Sequence, residues 1–171
     1  MSSEKLEVLI SEEQIAQRVD ELAAQLRADY GDKNPLFVGI LRSCYVFMAD
    51  VIRKFGAPCD VDFLAVSSYG EGVVLSRDVG LMPMGRHVVV LESLLDSGRT
   101  MSFVTNLLSR RGVASLEVCT LLDKPGHREV PQEAKYVGFT VPDAFVVGYG
   151  MDEDEGYRYL PYIGVLRDSD D

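Results

Sequence analysis

Short apolar runs separated by amphipathic stretches decide what this chain can become. Leu36-Phe37-Val38-Gly39-Ile40-Leu41, residues 61–67, His87-Val88-Val89-Val90-Leu91-Glu92, residues 116–122 and Tyr136-Val137-Gly138-Phe139 each have the length of a buried strand. The intervening stretches repeat at helical spacing. Residues 11–30 place Ile15, Val19, Leu22 and Leu26 on one face, with Ser11 and Gln14 spaced as a capping box. Residues 45–55 align Phe47, Val51 and Phe55, and a further helix runs from the polar turn after the third strand through Arg110. Strands that alternate with helices need crossover connections. The pattern predicts an α/β fold with a mainly parallel sheet flanked by helices. A short sixth strand is expected over residues 145–149, and 171 residues suit one domain spanning 1–171.

Charge removes some functions from consideration. The net charge of -10 opposes general affinity for nucleic acid, which needs a basic footprint. The tail Asp168-Ser169-Asp170-Asp171 adds to that excess and reads as a solvated end. No apolar run approaches the roughly 20 residues of a membrane span. Residues 1–7 are polar and lack the basic, apolar and small-residue order of a secretory leader, so a cytoplasmic protein without membrane or nucleic-acid partners is expected. Cys44, Cys59 and Cys119 are odd in number, widely spaced and set among apolar neighbours, which favours free thiols packed as small core residues.

In an open parallel sheet, ligands bind beyond the carboxyl ends of the strands. The strand ending at Leu91-Glu92-Ser93-Leu94-Leu95 runs straight into Asp96-Ser97-Gly98-Arg99-Thr100, where a helix opens. Unpaired backbone N–H groups in such a turn cradle a phosphate. Ser97 and Thr100 add hydroxyls, Gly98 permits close approach, and Arg99 adds charge. The same residues also suit an ordinary strand-to-helix turn capped by Asp96.

This segment resembles the phosphoribosyl pyrophosphate motif of type I phosphoribosyltransferases. The resemblance extends from Glu7-Val8-Leu9-Ile10 to Gly164-Val165-Leu166 and is nearest to bacterial hypoxanthine-guanine phosphoribosyltransferases. Further matching blocks are Phe47-Met48-Ala49-Asp50, Ser67-Ser68-Tyr69-Gly70, Leu121-Leu122-Asp123-Lys124-Pro125, Phe145-Val146-Val147-Gly148-Tyr149-Gly150 and Leu160-Pro161-Tyr162-Ile163-Gly164-Val165. It implies a type I phosphoribosyltransferase fold with a small hood, phosphoribosyl pyrophosphate and a 6-oxopurine as substrates, Mg2+ as cofactor, and a homodimer or homotetramer.

The resemblance also implies roles. Asp96 matches the acid/base carboxylate beside purine N7. Ser97, Gly98, Arg99 and Thr100 match the loop that holds the 5′-phosphate. Glu92 matches an acidic residue that engages ribose hydroxyls and metal-bound substrate, and Asp152 a carboxylate near the second magnesium. Lys124 matches the donor to the 6-oxo group, Phe145 the ring that stacks on the base, and Val146 the backbone that meets its edge. Arg158, with Leu41, Arg42 and Ser43, matches the pyrophosphate site, where a non-proline cis peptide joins Leu41 to Arg42. Ser68 and Tyr69 match the start of the loop that closes over the reaction.

Four departures stand out. Ser93 replaces a second acidic residue; a serine can meet a ribose hydroxyl but brings no charge. The lid loop at Gly70-Glu71-Gly72-Val73-Val74 is shortened, which limits closure against water. Arg42-Ser43 stands where Lys-Gly is usual, and arginine and lysine differ at close sites. Arg77-Asp78-Val79 stands for a Lys-Asp-Leu segment. Two other readings therefore remain open: a transferase for a purine analogue such as a deazapurine, and a nucleotide-binding paralogue with weakened catalysis.

Overall fold

The computed structural model describes residues 5–69 and 72–167, with the side chains of Lys5, Ser68 and Tyr69 left outside that description. The central sheet has strand order β4-β3-β2-β5-β6-β7. Its strands β2 (Leu36–Leu41), β3 (Asp60–Tyr69), β5 (His87–Leu95), β6 (Ser115–Asp123) and β7 (Tyr136–Thr140) pair in parallel. Only β4 (Gly72–Arg77) is antiparallel, against β3.

The sheet's two faces follow from strand alternation. Phe37, Val89, Leu91, Cys119 and Leu121 point to one layer and pack on α1 (Glu12–Tyr30) and α2 (Tyr45–Phe55). Val38, Ile40, Val88, Val90 and Val118 point to the other and pack on α3 (Arg99–Ser109). Because both faces are covered, the strands read as continuous apolar runs rather than as alternating ones. The capping box at Ser11 and Gln14 forms as expected: Gln14 N donates to Ser11 Oγ at 3.2 Å and Ser11 N donates to Gln14 Oε1 at 2.9 Å. Cys44 and Cys119 are buried free thiols, and Cys59 is half-buried against the first layer. Burial pushes the Cys119 thiol up to about 12, so it is inert at neutral pH.

A second sheet, order β1-β9-β8, forms the hood from β1 (Lys5–Ile10), β8 (Val146–Val147) and β9 (Ile163–Arg167), all antiparallel. This changes three sequence-based expectations. Strands β1 and β9 were not anticipated, because they pair with each other across more than a hundred and fifty residues of chain. The strand expected over 145–149 shrinks to Val146–Val147 and joins the hood, since the chain turns at Gly148 (φ +98). Residues 72–74, read as a lid loop, belong to β4. Val73 and Leu75 face inward there and Val74 outward, a strand alternation that favours pairing with β3. Gly70 and Glu71 lie outside the described residues, as does the acidic tail 168–171.

Candidate functional site

Strands β2, β3, β5 and β6 end on one edge of the sheet, and the loops that leave β2, β5 and β6 carry most of the polar residues singled out from sequence. The clearest feature is the turn between β5 and α3. Gly98 adopts φ +85 as the residue that opens α3, and a Cβ there would lie 2.4 Å from the Val130 carbonyl oxygen. Glycine is needed on both grounds. The close approach predicted for Gly98 is thus to Val130. A cavity of about 60 Å³ lies within the turn, lined by Glu92, Asp96, Ser97, Gly98, Thr100 and Met101 among others. The first N–H groups of any helix lack intrahelical partners, so this cavity sits where an anion is favoured. Arg99 instead donates through Nε to Glu129 at 2.5 Å, which draws its charge toward the neighbouring loop.

Glu92 and Ser93 lie where the pleat of β5 slips. Val89 and Leu91 face the first layer, and unbroken alternation would send residue 95 there too. Instead Leu94 packs in the first layer and Leu95 in the second. The Glu92 carboxylate accepts from its neighbour's backbone, Ser93 N, at 2.9 Å and from Ser43 Oγ at 3.3 Å. Burial pushes it up to about 7, against the lowering effect of those hydrogen bonds. Ser93 is fully buried and its Oγ has no partner among the described residues. Ser93 shares the strand parity of Val89 and Leu91, and its backbone N–H supports Glu92.

The loop after β6 delivers Lys124, which is buried, with Nζ 3.9 Å from both Asp96 Oδ2 and Asp143 Oδ1. Its backbone N donates to Leu95 O at 3.0 Å, locking this loop to the start of the phosphate turn. Phe145 is 54% exposed, unlike the adjoining β8, where Val146 is buried. An aromatic beside two valines would ordinarily be core; here its ring remains exposed.

Arg42 and Arg158 converge on one carboxylate. Arg42 ion-pairs with Glu155, and Arg158 donates to Glu155 Oε2 at 3.2 Å, to Asp152 Oδ1 at 2.8 Å and to Gly150 O at 2.8 Å. Arg158 and then Arg42 hold the Glu155 carboxyl below its ordinary value. Leu41 is half-buried, and the Leu41–Arg42 peptide is cis, as the resemblance implied. The Ser43 carbonyl approaches Gly150 so closely that a Cβ at Gly150 would lie 2.4 Å from it.

The structure thus draws Arg42, Ser43, Glu92, Asp152 and Arg158 to one side, and Asp96, Ser97, Gly98, Thr100 and Lys124 to the other, joined through the end of β5. Ser68 and Tyr69 close β3 by backbone alone, their side chains lying outside the description. Sequence reasoning missed Glu155, hidden in an acidic run, and His127, whose Nδ1 lies 2.5 Å from Asp96 Oδ1. Rarity was the available signal for the second, since the chain has 2 histidines. Among the described residues, no group of three or more His, Cys, Asp or Glu side chains forms a ready metal cage.

Comparison with known proteins identifies the family. Residues 8–154 match the phosphoribosyl transferase domain. A hypoxanthine-guanine phosphoribosyltransferase of Bacillus subtilis is 46% identical over 166 residues, covering 94% of this chain and 92% of the relative. A crystal structure of a hypoxanthine-guanine phosphoribosyltransferase from Bacillus anthracis superposes with a TM-score of 0.93 at 39% identity, covering 96% of this chain and all of the other. The bifunctional TilS/HprT protein of Listeria innocua is 44% identical over 98% of this chain, which spans only 27% of that longer relative. The chain belongs to the phosphoribosyl transferase family, in its hypoxanthine phosphoribosyltransferase group.

Proposed function

We propose that this protein transfers the 5-phosphoribosyl group from phosphoribosyl pyrophosphate to hypoxanthine or guanine, yielding the nucleoside 5′-monophosphate and pyrophosphate in purine salvage. The observation that carries this reading is the pairing of Asp96 and Lys124 beside a phosphate-sized cavity. A 6-oxopurine presents N7 and O6 side by side on one edge. A carboxylate next to an ammonium matches that edge when N7 bears a proton, since the ammonium can only donate and a 6-oxo oxygen can only accept. Adenine would set its own amino donors against Lys124. A 7-deazapurine would leave Asp96 without its N7 partner, which disfavours the analogue reading.

In this account Ser97, Gly98, Arg99 and Thr100 hold the 5′-phosphate, and exposed Phe145 stacks on the base while the Val146 backbone meets its edge. Arg42, Ser43 and Arg158 receive the pyrophosphate, with the Leu41–Arg42 peptide shaping that loop. Glu92 engages the ribose hydroxyls, and Ser68 and Tyr69 begin the segment that closes over the site. The bond from the anomeric carbon to pyrophosphate breaks as the bond to the purine nitrogen forms, and Asp96 takes the purine proton. Glu92 and Asp152 supply oxygen donors suited to Mg2+, which is commonly held by one or two carboxylates together with substrate phosphates and would offset the leaving group's charge.

The same reading extends to a cytoplasmic homo-oligomer. Free cysteines suit a reducing compartment, and exposed Tyr45 and Tyr159 flank a cavity of about 530 Å³ that suits a partner copy. No helix among the described residues is long and apolar enough to cross a membrane.

The test is pyrophosphate release from phosphoribosyl pyrophosphate, Mg2+ and hypoxanthine or guanine, in the wild type and in Asp96→Asn. Release should fall about 10²- to 10⁴-fold in the variant, the usual contribution of a positioned acid/base group. Release that is absent from folded wild-type protein, or unaffected by Asp96→Asn, would sink the reading.

A further inference from the structure

His127 ends the one-turn 3-10 helix Pro125–His127 that follows Lys124. The ring is largely exposed, yet its Nδ1 donates to Asp96 Oδ1 at 2.5 Å, while the other oxygen, Asp96 Oδ2, faces Lys124. The backbone around the ring is fixed at both ends. Lys124 N donates to Leu95 O at 3.0 Å, and Glu129 N and Val130 N donate to Ser97 O at 2.9 and 3.0 Å. One short segment therefore grips the phosphate turn on either side of Asp96 and also holds the Asp96 side chain. The charged groups around the imidazole are Asp96 from the turn, Asp143 from the loop before β8 and Glu129 from its own segment. Lys124 Nζ lies 3.9 Å from Asp96 Oδ2, the oxygen not bonded to the imidazole, and 3.9 Å from Asp143 Oδ1.

We infer that His127 is a positioning residue for Asp96, holding Oδ1 so that Oδ2 stays turned toward Lys124 and the incoming base. The inference rests on the reading of Asp96 as the group that meets purine N7. A carboxylate that is itself partly exposed has several rotamers, and a second anchored contact selects one of them. The hydrogen bond to Asp96, then the charges of Asp96 and Asp143, raise the imidazole above its ordinary 6.5. The sign follows: the contact is charge-assisted while the ring is protonated, and it loses that assistance as pH rises through the raised value.

The experiment measures kcat/KM for hypoxanthine and for phosphoribosyl pyrophosphate from about pH 6 to 9 in wild type, His127→Phe and His127→Asn, with NMR titration of the ring in wild type and Asp96→Asn. Phenylalanine removes the donor. Asparagine keeps an amide nitrogen near the Nδ1 position but does not titrate. His127→Phe should lose about tenfold in kcat/KM for hypoxanthine, the usual effect of a hydrogen bond to a charged group, with phosphoribosyl pyrophosphate much less affected. His127→Asn should recover most of the loss and lack the wild type's alkaline fall with midpoint above 6.5. The ring's midpoint should drop in Asp96→Asn. Identical profiles in all three proteins would overturn the inference. So would equal losses for both substrates without recovery by asparagine, the sign of a merely misshapen loop. The NMR arm needs no turnover: an unmoved midpoint sinks this inference, whereas a missing reaction with hypoxanthine sinks the reading beneath it.

Discussion

The two anion sites proposed for this molecule are built by opposite means. At Ser97–Thr100 the proposed 5′-phosphate site offers mainly backbone. The turn is contiguous in sequence, shaped by Gly98 at φ +85, and clamped from below where Glu129 N and Val130 N donate to Ser97 O. At Arg42 and Arg158 the proposed pyrophosphate site offers side chains that come from distant segments and already share Glu155. The proposed base site resembles the second region, since Lys124 and His127 are likewise engaged with Asp96, and Lys124 also with Asp143. In the first, the proposed ligand meets backbone N–H groups and one cation already paired, Arg99 with Glu129; in the second it must compete with carboxylates for both arginines. The first should therefore be sensitive to backbone change and the second to charge change.

The largest break in that comparison should come from Lys124→Met. Losing a buried cation proposed to face the 6-oxo group should lower kcat/KM for hypoxanthine about 100-fold, with KM for phosphoribosyl pyrophosphate little changed. Equal damage to both substrates would mean that the two regions are not separable.

Gly98→Ala should come next and act on the other region. An L side chain at φ +85, set against the Val130 carbonyl, costs about 2 kcal/mol or more. Thermal melting should show a fall of at least about 4 °C for a chain of this size, and KM for phosphoribosyl pyrophosphate should rise about tenfold. Unchanged melting would show that the clamp is not needed.

Glu155→Gln should have the smallest effect and the opposite sign. Removing the charge shared by Arg42 and Arg158 should tighten binding of inorganic pyrophosphate about two- to fivefold by calorimetry, because exposed ion pairs are weak. Weaker binding would mean that Glu155 orients the arginines rather than competing for them.

The same contrast explains what was legible in the sequence. The Val88–Thr100 stretch could be read directly, because strand, turn and helix are neighbours in the chain and backbone chemistry is written locally in Gly98 and Asp96. The hood was not legible: Val8 pairs with Gly164 and Lys5 with Arg167, and no local pattern announces such partners. Residues 72–74 were misread because two glycines near valines suggest a loop until β3 is there to pair with them. Within the site, Ser93 was placed toward the ribose by analogy with a carboxylate. The structure buries that hydroxyl completely, and a run of apolar and small residues gives no local sign of it. Arg42 and Arg158 were found by resemblance, while Glu155 was indistinguishable from its acidic neighbours until the fold brought the arginines to it.

The most direct test of the central claim is nucleoside monophosphate formation with hypoxanthine, guanine and adenine as competing acceptors. Because Lys124 can only donate at the 6-position, the account predicts efficient product with the two 6-oxopurines and at least about 10²-fold less with adenine. Comparable product with adenine, or none with either 6-oxopurine, would contradict it.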